Sequence, residues 1–225
     1  MYPVTKQLIE EYIDLIDQNR FGDLYDILAS ENNHVWSCIG DFTQSLLHVG
    51  INPLQHLSYV PEFYLSRTDI TTFTVPRHIN RLLDSAFDSC EQLKSVLLPN
   101  GLQIISEFAF DSCFSLETIN MPSSVRAIGK GAFSATGFKQ FKFPNVQVLC
   151  QDVLSGCSQL TTVSIPNTVQ LIEDHALEDN KLLNQIVFNG THKEWNDIDK
   201  EPHWCRNTPL ENIICTDEVL KVGRL

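Results

Sequence analysis

Residues 98–133 read LPNGLQIISEFAFDSCFSLETINMPSSVRAIGKGAF, and this stretch contains the unit on which most of the chain is built. Its prolines, Pro99 and Pro122, lie 23 residues apart, and an Ala-Phe pair follows each of them ten residues later. Related units recur with intervals of 23, 23, 22 and 22 residues between their prolines. Such a period is typical of stacked repeats, so the sequence predicts a solenoid. The prolines and their apolar pairs are Pro76 with Ala86 and Phe87, Pro99 with Ala109 and Phe110, Pro122 with Ala132 and Phe133, Pro144 with Val153 and Leu154, and Pro166 with Ala176 and Leu177.

The residues before each proline alternate in the manner of a half-buried β-strand. Because successive side chains of a strand point to opposite sides, the apolar set is predicted to face the interior and the other set to face outward. Six short parallel strands, one per turn, are expected to form a ladder, and each proline ends its strand because it cannot donate to the ladder. The inward set is Phe73, Val75, Val96, Leu98, Ile119, Met121, Phe141, Phe143, Val163, Ile165, Ile186 and Phe188.

The second half of each turn is predicted to be a compact loop or helical turn, in which a small alanine lets the phenylalanine ring reach the interior. Cys90, Cys113 and Cys157 occupy equivalent places after this pair, and Thr68, Thr136 and Asn180 fill the same place in other turns. Thiol, hydroxyl and amide groups can all hydrogen-bond to backbone at a buried turn, so a structural role is favoured over metal binding or redox chemistry. Cys90 and Cys113, on adjacent rungs, are expected within disulfide reach under oxidising conditions.

Composition narrows the classes of function. The chain has 225 residues, a formal net charge of −12 and seven cysteines. The acidic balance disfavours direct binding to nucleic acid. The N-terminus lacks the apolar stretch of a signal peptide, no run of eighteen apolar residues occurs, and the sparse, odd number of cysteines suggests reduced thiols. We therefore expect a cytoplasmic protein without a membrane segment.

The two ends of the chain differ from the repeats. Residues 1–53 show apolar residues at helical spacing and are predicted to form an N-terminal α-helical cap over the first turn. A second binding surface or a dimer contact is the alternative role for these helices. The repeats are expected to span residues 54–188, and residues 189–225 to form a C-terminal cap sealed by Trp195 and Trp204.

The quoted stretch resembles the BspA-type leucine-rich repeat, whose pattern is a strand, a proline, an Ile-Gly step, Ala-Phe, Cys and Leu. The segments IVFNGTHKEWNDI (186–198) and IICTDEVLKV (213–222) are similar to the terminal segment of such proteins. The stretch GINPLQHLSYVPEFYLS (50–66) is similar to short members found in bacteriophage genomes. The resemblance implies an α/β leucine-rich repeat solenoid with a parallel β-strand ladder, which recognises proteins or surfaces and has no shared enzymatic activity.

No motif for catalysis or for a cofactor is evident. His192, Glu194, Asp197, His203 and Cys205 form the densest titratable group, but their spacing matches no zinc pattern. Asn189 begins a glycosylation sequon, which a protein that is not exported would not use. We therefore expect neither an enzyme nor a bound metal or cofactor.

The sequence thus favours a non-enzymatic protein-binding module that presents its outward strand residues to a partner, whose identity it does not give. If the phage resemblance applies, the partner is a host protein in the host cytoplasm and the role is host or defence modulation. A structural or adhesive protein of a virion or cell surface is the alternative. The predicted partner-binding residues are Thr72, Thr74, Ser95, Leu97, Thr118, Asn120, Gln140, Lys142, Thr162 and Ser164.

Overall fold

The computed structural model describes Thr43, Gln44, Leu47 and residues 53–222. Thr43, Gln44 and Leu47 are helical, and Leu47 packs against the hydrophobic core. The rest of the predicted N-terminal helical cap, up to residue 52, lies outside the described residues, so the cap stays a prediction.

The described chain is a β-solenoid made of short strands. It opens with a 3-10 helix, Pro53–His56, and contains one α-helix, α1 (His192–Asn196). In chain order the strands are β1 (Tyr59–Val60), β2 (Thr72–Thr74), β3 (Arg81–Leu82), β4 (Ser95–Leu97), β5 (Ile104–Ile105), β6 (Thr118–Ile119), β7 (Ala127–Ile128), β8 (Gln140–Lys142), β9 (Val148–Leu149), β10 (Thr162–Ile165), β11 (Leu171–Ile172), β12 (Gln185–Phe188), β13 (Asp199–Lys200), β14 (Asn212–Ile214) and β15 (Val219–Lys221).

Each turn of the solenoid has three sides. The strand face carries β2, β4, β6, β8, β10, β12 and β14, and the second face carries β1, β3, β5, β7, β9, β11 and β13. The third side, called the turn face, is built from hydrogen-bonded turns. All strand pairs are parallel except the last, in which β15 runs antiparallel to β14. The leucine-rich repeat solenoid with parallel ladders is therefore confirmed.

The α/β class predicted for the repeats is wrong, because residues 57–190 contain no α-helix. On the turn face, N–H groups alternate between two partners. Asp88 donates to Ser85 three residues earlier (3.0 Å), whereas Phe87 donates to Ala109 in the next turn (2.8 Å). A left-handed residue, such as Ser85 at φ 53°, also interrupts any helical run in each turn. The turns therefore bond to their neighbours along the stack and do not form helices.

The core consists of the inward strand residues and a stack of phenylalanine rings. Phe87 and Phe110 stack at 5.1 Å, and Phe110 and Phe133 at 5.4 Å, each pair with 3° between the ring planes. The inward positions are buried, as predicted, except that Phe73, Ile119 and Met121 are only half-buried. Two of these exceptions, Ile119 and Met121, lie beside an interruption of the strand face.

The predicted continuous ladder of six strands is divided into two sheets. β2, β4 and β6 form one, β8 begins the next, and β6 does not pair with β8. The second face is divided at the same turn, between β7 and β9. The turn face continues across the division, since Phe133 donates to Val153 at 3.0 Å and Ala135 donates to Ser155 at 2.8 Å. The solenoid is thus continuous, but two of its three hydrogen-bonded sides are interrupted.

Shortened corners explain the division. The corner that holds Thr136, Gly137 and Phe138 has one residue fewer than the corresponding corner from Cys113 to Leu116. Gly137 lies so close to the preceding turn that a Cβ atom there would be 2.4 Å from the carbonyl oxygen of Phe114. The strand that follows this corner therefore does not continue the pairing of the previous turns.

The segment after residue 188 adds strands to both faces and closes the core with aromatic rings. Thr191 and Glu194 form a capping box at the start of α1. Trp195, which α1 buries, packs edge-on against Phe188 at 5.3 Å and against Trp204 at 6.1 Å. The tryptophans predicted to seal this end do contact the core.

Candidate functional site

A hollow of about 840 Å³ lies on the strand face where the ladder is divided. It extends over three successive turns, from β6 across β8 to β10. Its lining residues are Glu117, Thr118, Ile119, Met121, Ser123, Phe138, Gln140, Phe141, Lys142, Phe143, Pro144, Asn145, Thr162, Ser164, Pro166 and Asn189.

The hollow combines an apolar floor with a polar rim. Ile119 and Met121 are half-buried core residues that reach the floor because β6 ends at Ile119. Thr118, Gln140 and Lys142 are exposed around them. Among the lining residues only Glu117 and Lys142 carry a charge at neutral pH. The site therefore offers apolar contact and neutral hydrogen-bonding groups.

The structure brings together five of the ten partner-binding residues that the sequence predicted. These five line the hollow, whereas Thr72, Thr74, Ser95 and Leu97 lie on the same face in the sheet before the division. Leu97 is 54% exposed, which makes it the most exposed large apolar residue of these strands. The residues in the hollow are Thr118, Gln140, Lys142, Thr162 and Ser164.

Asn120 has a different task from its neighbours on the strand face. Its side-chain oxygen accepts the N–H of Leu98 at 2.6 Å, and its amide nitrogen donates to the carbonyl of Leu98 at 2.9 Å. The amide thus takes the place of a strand backbone where β6 stops. Sequence reasoning missed this role, because an outward position predicts exposure and not the bonds that the side chain makes.

The turn position shared by cysteine, threonine and asparagine hydrogen-bonds to backbone, as predicted. Cys157 donates to the carbonyl of Phe133 at 3.3 Å, and Thr136 donates to the same oxygen at 2.9 Å. Burial raises the pKa of Cys157 to about 11, which keeps the thiol protonated and poorly nucleophilic at neutral pH. Cys90 and Cys113 are free thiols in the structure. The geometry supports a structural role for this column.

The titratable group noted near the C-terminus does not assemble. His192 pairs with Glu218, Glu194 caps α1, and Cys205 is buried. His203 instead lies beside Asp174 and His175, which belong to the previous turn. The signal for this contact is positional, because His175 and His203 occupy equivalent places in successive turns.

The described part of the chain, residues 53–222 with three earlier positions, has no helix long and apolar enough to cross a bilayer.

Comparison with solved structures places this architecture among bacterial proteins. A leucine rich cell surface protein from Faecalibacterium prausnitzii is 29% identical with a TM-score of 0.56, and the match covers 59% of this chain and 36% of that one. A leucine-rich repeat protein from T. pallidum is 25% identical with a TM-score of 0.51, covering 64% and 72% of the two chains. One from Eubacterium ventriosum is 17% identical with a TM-score of 0.55, covering 69% and 47%, and it shows the fold alone. The chain thus spans about a third of the length of the F. prausnitzii protein.

No curated protein matches the chain. The BspA type leucine rich repeat region matches in six copies, over residues 58–184 and 145–224. These matches contain all the repeats described above and reach past the last strand. The chain therefore belongs to the BspA-type leucine-rich repeat family.

Proposed function

We propose that the protein binds a partner protein through its strand face, with the hollow at the divided ladder as the centre of the contact. The observation that carries the proposal is this hollow, in which half of the outward residues predicted from the sequence surround exposed core. A leucine-rich repeat is a general protein-interaction or surface-adhesion fold, and the partner is chosen by the side chains that it exposes.

The composition of the hollow fits a protein better than a nucleic acid. Protein interfaces combine an apolar centre with a hydrogen-bonding rim, and here Ile119 and Met121 lie within a rim of Thr118, Gln140 and Thr162. Binding to phosphate backbones requires several cations, whereas Lys142 is the one cation of the lining and the chain carries a net charge of −12.

The lining also supports binding rather than catalysis. Acid–base or nucleophilic chemistry needs a reactive group beside a partner that activates it. No histidine or cysteine is among the residues that line the hollow. Cys157, which lies between β9 and β10 on the turn face, is buried and engaged with backbone.

A narrower form of the proposal makes the protein a phage accessory factor that acts on a host protein in the host cytoplasm. Its support is the similarity of residues 50–66 to short phage-encoded members of the family. Comparing growth of such a phage with and without the gene tests it, and equal growth on every host would count against it.

The proposal is tested by affinity capture with two matched variants. Gln140→Arg places a long cation in the hollow, and Gln147→Arg makes the same change at an exposed position of the same turn, next to β9 on the second face. We expect the wild type and Gln147→Arg to capture the same partner and Gln140→Arg to lose at least about tenfold of it, with unchanged circular dichroism. Equal capture by all three proteins would overturn the role of the hollow.

A surface-adhesive role is the second candidate. It is favoured by the similarity to the F. prausnitzii protein, which is described as a cell surface protein. Fractionation of cells that express the gene separates the candidates. Protein on the surface or in virions supports adhesion or structure, and protein confined to the cytosol supports the binding module.

A further inference from the structure

Two histidines and an aspartate meet on the turn face near the C-terminal end. His175 has a left-handed backbone at φ 60°, and Asp174 directly precedes it. The carbonyl of Trp204 accepts the N–H of Leu177 at 2.7 Å, so the chain around His203 stacks on the turn that contains His175. The two imidazole rings are therefore stacked, with centroids 5.8 Å apart and 8° between their planes.

The carboxylate of Asp174 is oriented by backbone and faces both rings. Its Oδ1 accepts the backbone N–H of His203 at 2.8 Å. Its Oδ2 lies 3.4 Å from Nε2 of His175 and 3.4 Å from Nδ1 of His203, and that Nδ1 is also 3.3 Å from Oδ1. The aspartate thus contacts one nitrogen of each ring.

These separations suit metal ligands better than hydrogen bonds. A well-formed N–H···O bond measures about 2.7–3.2 Å. In a tetrahedral zinc site with bonds of about 2.0–2.1 Å, neighbouring ligand atoms lie roughly 3.4 Å apart, which follows from the bond lengths. One ligand atom from each of the three residues lies within 4.8 Å of the others, so small side-chain movements complete the set.

A second carboxylate supports His175 from behind. Nδ1 of His175 lies 2.5 Å from Oε2 of the buried Glu178, and Nε of Arg206 contacts the other oxygen of Glu178 at 2.7 Å. Metal-binding histidines commonly donate their second ring N–H to a carboxylate, which selects the tautomer and orients the ring. Here that contact directs the lone pair of Nε2 toward Asp174.

We propose that Asp174, His175 and His203 bind a Zn²⁺ ion, with Glu178 as the positioning carboxylate for His175. Two imidazole nitrogens and one carboxylate oxygen form a donor set suited to zinc, whereas Mg²⁺ and Ca²⁺ prefer oxygen ligands throughout. The His203 side chain is 52% exposed, so the fourth position opens to solvent. The sequence predicted no metal site because the three ligands come from two turns, 28 or more residues apart.

The test is calorimetric titration of the EDTA-treated, dialysed full-length protein with ZnCl₂, repeated with Co²⁺ to record its tetrahedral absorption. We expect one ion per chain. His203→Ala and Asp174→Asn should each weaken binding at least about tenfold, and Glu178→Gln should weaken it by about tenfold through loss of positioning. His192→Ala is the matched control, since His192 also pairs with a carboxylate, that of Glu218, but has no second histidine in that pair.

Three results would overturn the site: no zinc binding by the wild type, unchanged affinity in His203→Ala and Asp174→Asn, or an equal loss in His192→Ala. Circular dichroism and melting curves of the metal-free variants separate loss of ligands from loss of fold. If His203→Ala does not fold, the nearly isosteric Asp174→Asn decides the question. The outcome is independent of the strand-face proposal, since the cluster lies on the turn face.

Discussion

At the scale of single residues, two asparagines show how the repeat tolerates departures from its pattern. Asn180 is fully buried at the place that cysteine occupies in other turns. Its amide nitrogen donates to the carbonyls of Leu154 (2.9 Å) and Leu177 (2.8 Å), and its oxygen accepts the N–H of Cys157 (2.9 Å). Asn120 makes two comparable bonds to Leu98, but its side chain is exposed. The same chemistry therefore stabilises backbone inside and outside the core.

These two residues provide a paired prediction. Asn180→Ala leaves the buried carbonyl of Leu154 and the N–H of Cys157 without their side-chain partner, so we expect the free energy of unfolding to fall by about 3 kcal/mol. Asn120→Ala exposes the Leu98 groups to water, so a fall of about 1 kcal/mol is expected. Urea denaturation followed by circular dichroism measures both values. Equal losses would show that burial does not set the cost.

The sequence predicted the chemistry of the Asn180 position but not that of Asn120. Exchange among Cys90, Thr136 and Asn180 at one repeat position is visible in the sequence alone, and it indicates a shared hydrogen-bonding task. For Asn120 the period of two predicts only that the side chain faces outward. Its bonds to Leu98 depend on where β6 ends, and strand ends follow from pairing between turns rather than from local sequence.

At the scale of elements, the corner between β7 and β8 decides the shape of the strand face. Thr136, Gly137 and Phe138 complete it with one residue fewer than the corner before it, and the turn after β8 is also shorter. In that later turn Val146 donates to Pro144 two residues back (2.7 Å), whereas Val125 donates to Pro122 three residues back (3.2 Å). The hollow is the consequence on the strand face.

Gly137 should be intolerant of any side chain. Its substitution by alanine would place Cβ 2.4 Å from the carbonyl oxygen of Phe114, and backbone cannot move away as a side chain can. We expect Gly137→Ala to lower the free energy of unfolding by about 1–3 kcal/mol. Gly101→Ala is the control, because no atom lies within 4 Å of its added Cβ and the substitution should cost nothing. Urea denaturation compares them, and equal stability of the two variants would refute the close approach.

The change in interval from 23 to 22 residues is visible in the sequence, and it marks the turn in which the ladder divides. It does not reveal the division itself. The interval is also 22 between Pro144 and Pro166, yet β8 and β10 pair in register across that turn. A deletion interrupts pairing only where the backbone must bridge a shortened corner, as at Gly137, and that depends on the three-dimensional approach to Phe114.

At the scale of the whole molecule, repetition made the solenoid predictable, since each turn reports the same inward and outward positions. Function is less predictable, because the family supplies a scaffold and the exposed side chains supply the specificity. The hollow arises from one irregular turn, and the cluster of Asp174, His175 and His203 from the stacking of two turns. Both features depend on neighbours 20 to 30 residues away in sequence.

The most direct measurement is photo-cross-linking at two positions of the same turn. A photoreactive phenylalanine analogue replaces Lys142 on the strand face in one protein and Gln147 beside the second face in the other, both of which are exposed. The strand-face proposal predicts a specific cross-linked partner protein from position 142, identified by mass spectrometry, and little or none from position 147. A partner that cross-links only from position 147, or equally from both, would contradict the claim that the hollow is the binding site.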